Sequence, residues 1–402
     1  MNNSVRITNL KLRNYRNHRE LSIIPKKDII VIYGKNGSGK TNILESISLL
    51  NSNGGFRNAN LSDLIYENHL GPLELFGANF QIKLDSDIYS VGLGLKKKGE
   101  DLIKIIKIDS MRTNTSNLNN KISFFWVVPR MSHLLQNTPM ERRAFIDMMI
   151  GSVDKLYSER LQEYRKLKKE RLKILKNKNF KNHEKWLDII EQKICYSGLI
   201  ICDSRRTFLK SLNKRLKVIN DKTESFILEL NGTLDKVLLE KPALFVEEIF
   251  IQKLKENRFK DSISGRTNFS ANKTDLVIYD LKKRKEVKNF STGEQKLIII
   301  SIILSFIEFL KTSKTEKLIF LLDDIFSYLD SNYISKLLQE LSKLNIQTWI
   351  TDIRADWISN SPMLKNIIHK INSSNNANNS VNGFNVNNNK MKTKFKKVLK
   401  LR

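Results

Sequence analysis

Eight consecutive residues near the start of the chain have the types and spacing of a phosphate-binding loop. Gly34-Lys35-Asn36-Gly37-Ser38-Gly39-Lys40-Thr41 fits the pattern G-x4-G-K-[ST] and lies between an apolar run and a helical pattern. Glycines let backbone N–H groups close around phosphates, a lysine here reaches the β- and γ-phosphates, and a threonine hydroxyl ligates Mg²⁺. We therefore expect ATP and Mg²⁺ at this loop, with Lys40 contributing to catalysis.

A second apolar run ends in two adjacent carboxylates. Residues 317–322 read as a buried strand, and Asp323 and Asp324 follow it at its C-terminal end. Ligands of open α/β sheets bind at this edge, so Asp323 is expected to hold Mg²⁺ and Asp324 to orient or deprotonate the attacking water. Adjacent acids also occur as plain turn formers, and the phosphate loop favours the catalytic interpretation.

A polar cluster precedes the longest apolar helix pattern. Ser291, Gly293, Glu294 and Gln295 form the core of Phe290-Ser-Thr-Gly-Glu-Gln-Lys296, directly before residues 297–310. Serine followed by glutamate three residues later is a helix N-cap. The same helix terminus can bind an anion such as the γ-phosphate of ATP, so both interpretations stay open here.

The elements that must position these residues are strands on both sides of a long helical segment. Alternating or apolar stretches predict strands over 5–33, 80–84, 89–95, 102–108 and 124–128, and again over 275–280, 286–290 and 317–322. Residues 140–178 and 183–220 read as long helices. We expect an α/β fold in which a mixed sheet surrounds the P-loop helix. The predicted parts are an N-terminal head (1–138), a helical arm (139–264), a C-terminal head (265–370) and a tail (371–402).

Charge and composition favour a nucleic-acid partner. The 402 residues carry a formal net charge of +28, and a surface of this sign attracts polyphosphates. Abundant Lys, Asn and Ile are also typical of an AT-rich coding sequence, which would leave part of the lysine excess as solvated surface. No apolar run is long enough to span a bilayer and no signal-peptide layout is present, so we expect a cytosolic protein with no membrane partner. Cys195 and Cys202 are expected to be packing residues.

Several segments together resemble the RecF family of ABC-type ATPases. Ser-Thr-Gly-Glu-Gln-Lys is similar to the family's signature, and Leu321–Asp330 is similar to its Walker B strand and D-loop, ending in Asp330. Leu12-Arg-Asn-Tyr-Arg-Asn17 resembles the family's opening, Thr41-Asn42-Ile-Leu-Glu45 its post-P-loop helix, and Pro139–Asp147 its entry to the arm. The resemblance covers about residues 5–355.

The resemblance to this family implies a dimer, further nucleotide contacts and a function that the residues alone do not indicate. Two heads would sandwich ATP between the P-loop of one chain and the signature of its partner, which makes ATP the bridge of a homodimer. Arg13 and Asn14 would lie near the base or ribose, although a plain strand end is the alternative. The implied function is a weak, DNA-linked ATPase that binds duplex, single-stranded or gapped DNA in recombinational repair and cooperates with RecO and RecR to load RecA.

Three segments depart from the family pattern. Ser270–Leu276 replaces the family's Gly-Pro-His-Arg, and Thr351-Asp352 stands where transporters have a histidine. Ten of the eighteen residues from Asn372 to Asn389 are Asn, a composition that cannot bury a core, and seven of the thirteen residues 390–402 are basic. The tail is therefore expected to be disordered, as a DNA-contacting arm or a solubilising end.

Rival functions are an SMC-like mechanical ATPase, an ABC transport subunit and a DNA binder with a dead ATPase. The predicted arm is too short for a long coiled coil and lacks sustained heptads. In transport subunits the signature follows the P-loop at about half the distance found here. Lys40, Thr41, Asp323 and Asp324 argue against a dead ATPase.

Overall fold

The computed structural model describes residues 4–51, 54–66, 75–177, 180–219, 226–313, 317–326, 331–353 and 368–372. Its N-terminal part is mostly strand. The elements are β1 (Val5–Tyr15), β2 (His18–Ile23), β3 (Ile29–Tyr33), α1 (Lys40–Ser48), β4 (Gly77–Leu84), β5 (Asp87–Lys98), β6 (Asp101–Ile108), β7 (Met111–Thr113), α2 (Thr115–Asn119) and β8 (Ser123–Val127).

Helices dominate the middle of the chain, and strands return towards its end. The elements are α3 (Pro139–Val153), α4 (Lys155–Leu175), α5 (Glu184–Ile219), β9 (Phe226–Asn231), α6 (Thr233–Glu240), α7 (Ala243–Glu256), α8 (Arg258–Ser264), β10 (Asp275–Asp280), β11 (Lys285–Glu286), α9 (Thr292–Thr312), β12 (Leu318–Asp323), α10 (Ser331–Ser342), β13 (Gln347–Asp352) and β14 (Ile368–Asn372). Among the helices described, none is long and apolar enough to cross a bilayer.

A parallel sheet with the order β14-β3-β13-β12-β8 divides the core into two layers. Successive side chains of a strand point to opposite faces, and both faces of this sheet are covered. Ile30 and Ile32 pack on one side with α1, whereas Ile29 and Val31 pack on the other with α9. Continuous apolar runs such as residues 29–33 and 318–322 are the sequence signature of such a doubly covered strand.

An antiparallel sheet with the order β2-β1-β4-β5-β6-β7 covers the α1 side. Ile43, Leu44 and Ile47 of α1 are fully buried between the two sheets. The prediction of an α/β head built around the P-loop helix is confirmed. In place of one mixed sheet, the structure has two sheets, one parallel and one antiparallel, and they enclose this helix.

The first strands after the arm, β10 and β11, belong to a small separate sheet, which corrects the expectation that the head sheet resumes directly after the arm; the parallel sheet resumes with β12. β10 pairs with β9 and β11, and this small sheet has the order β11-β10-β9. The predicted strand at 286–290 is wrong beyond Glu286, because a 3₁₀ turn spans Val287–Asn289. β9 lies inside the predicted helical arm; the arm's boundaries and the division into parts stay a prediction.

The arm helices pack directly on the head. The long helix predicted over 140–178 breaks at Asp154, whose extended backbone ends α3 and whose side chain caps α4 by accepting from the Tyr157 N–H. Residues of α4, α5 and α7 belong to the same apolar cluster as α9 and the parallel sheet. Cys195 and Cys202 are buried in it.

Residues 270–276, which depart from the family pattern, form hydrogen bonds with several arm helices. Ala271 donates its N–H to the Tyr164 hydroxyl (3.0 Å) and its carbonyl oxygen accepts from Arg205 (2.7 Å). Thr274 donates to Asp235 (2.6 Å), and Asp275 accepts two hydrogen bonds from Arg142. Residues 270–276 therefore join α3, α4, α5 and α6 to β10.

Candidate functional site

The P-loop connects the end of β3 to the start of α1, as the sequence predicts. Gly34, Gly37 and Gly39 all have positive φ (151°, 81° and 88°), a backbone region that residues with a Cβ rarely adopt. Gly39 is also crowded, because a Cβ there would collide with the side chains of Asn17 and His18. Glycine is therefore required at this position by both conformation and space.

Lys40 is buried at the first position of α1. Its ammonium donates to the carbonyl oxygens of Gly34 (2.7 Å) and Lys35 (2.8 Å). Burial lowers the pKa of Lys40, and the carboxylates of Asp324, Asp323 and Asp352 oppose that shift. The loop thus places a cation among its own carbonyl groups, which phosphate oxygens could replace as acceptors.

Asp323 connects β12 to β13 and to the helix that follows β3. Its Oδ1 accepts from the hydroxyl of Thr41 (2.8 Å), the last residue of the P-loop, and from the Thr351 hydroxyl (2.7 Å) on β13. Burial raises the pKa of Asp323, while these two hydrogen bonds lower it. A hydroxyl and a carboxylate are hard oxygen donors suited to Mg²⁺, which usually takes its remaining ligands from phosphates and water.

Asp324 leaves the strand in a left-handed conformation (φ 47°). Its N–H is held by the Thr351 hydroxyl oxygen (3.0 Å) and carbonyl oxygen (3.2 Å). Aspartate tolerates this region better than most residues, and such conformations are frequent at functional sites. The turn brings both carboxylates to the edge of the sheet where β3 delivers the P-loop.

A turn between β1 and β2 contacts the P-loop from outside. Asn17 donates to the Gly37 carbonyl oxygen (3.3 Å), and a ring nitrogen of His18 lies 3.1 Å from the Gly39 carbonyl oxygen. Asn42 donates to Asn17 (2.8 Å). Sequence reasoning missed Asn17 and His18 as P-loop contacts, although the family-like opening at residues 12–17 pointed to this turn.

Buried Glu45 ties this turn to α1. Arg16 binds both Glu45 oxygens (3.0 and 2.8 Å), and Arg57 lies 3.5 Å from the same carboxylate while donating to Asn42 (2.8 Å). Arg57 was also missed by sequence reasoning. Its positive charge lowers the pKa of Asp323, so it contributes to the electrostatics of the site.

The signature residues form an exposed helix N-terminus. Ser291 accepts from the Glu294 N–H (3.3 Å), and Glu294 accepts from the Ser291 N–H (3.1 Å), which completes a capping box on α9. Gln295 is buried and donates to the carbonyl oxygens of Lys288 (2.9 Å) and Phe290 (3.0 Å). Gln295 thus supports the loop, while Ser291, Gly293 and Glu294 face outward.

The remaining predicted site residues lie in varied surroundings. Lys35 and Asn36 are exposed in the P-loop, and Ser38 donates its N–H to the Lys35 carbonyl oxygen (3.3 Å). Arg13 is exposed on β1, whereas Asn14 is buried with φ 52° and accepts from the Tyr66 N–H (2.9 Å). Their nucleotide-binding roles stay a prediction, and Asp330 lies outside the described residues.

The parallel sheet, the P-loop and the paired carboxylates, together with a capped signature helix, define an ABC-type P-loop ATPase head. A family model described as RecF/RecN/SMC N terminal domain matches residues 6–379. The DNA replication and repair protein RecF of Rickettsia typhi is 32% identical over 353 residues, which cover 87% of this chain and 95% of that protein. The chain belongs to the RecF family.

A second relative and two solved structures are also similar to this chain, and the solved structures show the same fold. The RecF protein of Rhizobium rhizogenes is 27% identical over 354 residues, covering 87% of this chain and 93% of that one. The structure of the recombination mediator protein RecF with ATP, from the RecFOR pathway, has a TM-score of 0.74 at 23% identity and covers 88% of this chain and 94% of that chain. An SMC head domain from Pyrococcus furiosus has a TM-score of 0.52 at 17% identity, with 89% and 92% covered.

The raised pKa of Asp323 yields a prediction for Asp323→Asn. At neutral pH the buried carboxylate is charged at a cost, so the neutral amide should raise the protein's resistance to urea while weakening Mg²⁺–ATP binding. The gain in stability should shrink as the pH falls through the raised pKa of Asp323, because the native carboxyl then becomes neutral too. Urea unfolding from neutral to acidic pH measures this. A variant that is less stable than the native protein at neutral pH would contradict it.

Proposed function

We propose that this protein is an ATP-dependent DNA-binding protein of replication and recombinational repair, in which ATP binding closes two heads into a dimeric clamp. The observation that carries the proposal is the meeting of Lys40, Thr41, Asp323 and Asp324 at one edge of the parallel sheet. A phosphate-binding loop beside two carboxylates is the arrangement that nucleoside-triphosphate hydrolysis requires.

ATP binding and hydrolysis use separate residues of this site. The P-loop N–H groups and Lys40 would bind the phosphates, and the Thr41 hydroxyl and Asp323 carboxylate would hold Mg²⁺. A bound Mg²⁺ supplies charge neutralisation at the phosphates. Asp324, fixed through its backbone N–H by Thr351, would orient the attacking water. Hydrolysis then acts as a slow switch that ends the ATP-bound state.

The exposure of the signature supports a site completed by a second copy of the chain. Within the described residues, the side chains of Ser291, Glu294 and Gln295 bond to Lys283, Lys288, Phe290 and one another. None of these bonds reaches the P-loop of the same chain. An exposed helix N-terminus favours a negatively charged partner, such as the γ-phosphate on another head.

The net charge of +28 and the family membership support DNA as the partner. The most similar relatives reported above are DNA replication and repair proteins, and the solved RecF structure comes from the RecFOR pathway. By the same membership we propose a cytoplasmic protein that acts with RecO and RecR to load RecA at gapped DNA. Its contacts would be mainly to phosphates and would carry little sequence preference.

The two steps of the ATP cycle should separate by mutation. Lys40→Ala should abolish ATP binding, because it removes the phosphate-binding cation, whereas Lys97→Ala, at an exposed lysine of β5 outside the site, should bind normally. Asp324→Asn should bind ATP but hydrolyse it at least about tenfold more slowly, and asparagine tolerates the left-handed backbone. Nucleotide-binding and steady-state ATPase assays measure both. Wild-type turnover by Asp324→Asn would remove Asp324 from the mechanism.

Ser291→Arg tests the dimer. A long cationic side chain at the exposed cap should block close approach of two heads, so ATP-induced dimerisation and hydrolysis should be lost while the P-loop still binds ATP. Ser86→Arg, at an exposed serine of the β4–β5 turn, is the control. Sedimentation with a non-hydrolysable ATP analogue decides the matter. If Ser291 is only a helix cap, the variant will lose about 1 kcal/mol of stability and still dimerise.

DNA affinity should fall steeply with salt and vary little with sequence, because phosphate contacts release counterions. Fluorescence anisotropy with labelled duplex, single-stranded and gapped oligonucleotides, with and without ATP, measures the salt dependence. An affinity that is unchanged between about 50 and 200 mM salt would rule out a phosphate-dominated interface.

A further inference from the structure

Strand β8 forms one edge of the parallel sheet and has unused backbone groups. Among the strands that the structure describes it pairs with β12 alone, and Ser123 donates its N–H to the Lys317 carbonyl oxygen there (2.8 Å). Alternate residues of a strand direct their backbone groups to opposite edges. The N–H and C=O groups of Phe124 and Trp126 therefore point away from β12, and no described residue bonds to them.

This edge opens into a cleft of about 610 Å³ between the head and the arm. The volume lies within the range typical of ligand-binding sites. One wall is made by α3 and α4, with Met140, Ala144 and Met148 among its apolar members. The opposite wall is made by α2 and residues 55–58, where amide side chains such as Asn58 and Asn119 are found.

Three basic side chains line the cleft without an acidic partner in the described part of the chain. Arg130 follows β8 and donates to the Phe56 carbonyl oxygen (2.5 Å), and Lys155 at the start of α4 donates to the Asn120 carbonyl oxygen (2.5 Å). Arg165 is exposed on α4. Three acidic residues also line the cleft: Glu141 is held in a helix capping box, Asp147 is paired with Arg205, and Glu159 on α4 is exposed with no ion pair to a described residue. The three basic side chains therefore outnumber the single carboxylate that is neither capped nor paired.

We propose that this cleft binds an extended, acidic segment of a protein partner, which adds to β8 as a further strand of the parallel sheet. The unused N–H and C=O groups alternate as a peptide backbone requires, and main-chain pairing at a sheet edge is an established mode of peptide recognition. The apolar wall would accept every second side chain, and Arg130, Lys155 and Arg165 would attract carboxylates at the ends of the segment. A nucleic acid would use the cations but not the strand edge, so the edge favours a peptide.

The position of the cleft connects the segment to the ATP site. Phe56 lines the cleft and its ring lies 6.5 Å from that of Trp126, while the next residue, Arg57, contacts Asn42 and Glu45 on the P-loop helix. A partner strand in the cleft would therefore contact residues 55–58, which also contact α1.

A labelled peptide tests the proposal on the full-length protein. The probe is fluorescein-labelled Asp-Val-Thr-Val-Thr-Val-Asp, whose backbone can pair with a strand edge and whose ends are acidic. Two further versions carry N-methyl groups on either the odd or the even residues, so that each lacks the N–H donors of one edge. Fluorescence anisotropy should show that the parent peptide and one N-methylated version bind. The affinity of the other version should be about tenfold or more lower, because its hydrogen bonds to β8 are lost. Equal behaviour of the two versions would overturn edge pairing.

Variants of the protein localise the binding. Arg165→Glu should raise the peptide's Kd about fivefold, whereas Lys169→Glu, the same charge change one turn further along α4 and outside the cleft, should leave it unchanged. Ala144→Arg should fill the cleft and abolish binding, with circular dichroism to confirm folding. Unlabelled oligothymidylate should not displace the peptide. Binding that survives Ala144→Arg, or displacement by the oligonucleotide, would overturn the proposal, the latter in favour of a nucleic-acid groove.

Discussion

The geometry of the site depends on the hydrogen bonds that the carboxylate of Asp323 accepts. By accepting from Thr41 and Thr351, it joins the C-terminal ends of β12 and β13 to the helix that follows β3. This arrangement requires the strand order β3-β13-β12 and its register, because a shift by one residue would exchange the buried faces of a strand. Both faces are packed, with Ile30 and Ile32 on one side and Ile29 and Val31 on the other. Packing of the apolar core on both faces of the sheet therefore fixes the positions of Thr41, Asp323 and Thr351.

A second set of buried polar contacts joins the arm helices to one another and to the segment before β10. Asp147 on α3 accepts two hydrogen bonds from Arg205 on α5 (2.8 and 2.9 Å) and one from the Tyr157 hydroxyl (2.5 Å). Arg205 also donates to Ala271, so the segment before β10 belongs to the same network. A buried charge is tolerated when it is fully paired, and removal of one partner would leave the other uncompensated. The network therefore joins α3, α4 and α5 to the segment 270–276.

Local patterns in the sequence predicted the parts of the site but not how the parts meet. The P-loop, the carboxylates after β12 and the capped signature helix follow from short motifs, and the apolar runs of β3 and β12 from their length and composition. The position of β13 between them could not be predicted, because strand order depends on pairing between distant segments. For the same reason the return of strands after the arm suggested one continuous head sheet, whereas β10 pairs with β9. The contacts of Ser270–Leu276 are also long-range, and no local pattern reveals them.

Gly293 shows how the signature differs from an ordinary helix start. The capping box satisfies the N–H groups of Ser291 and Glu294, while those of Thr292 and Gly293 face solvent with no acceptor among the described residues. A Cβ added at Gly293 would meet nothing within 4 Å, and glycine in a helix costs up to about 1 kcal/mol relative to alanine. Neither space nor backbone conformation within the chain explains glycine here. The proposed dimer would explain it, since two N–H donors at an exposed helix N-terminus are suited to a phosphate held on a second head.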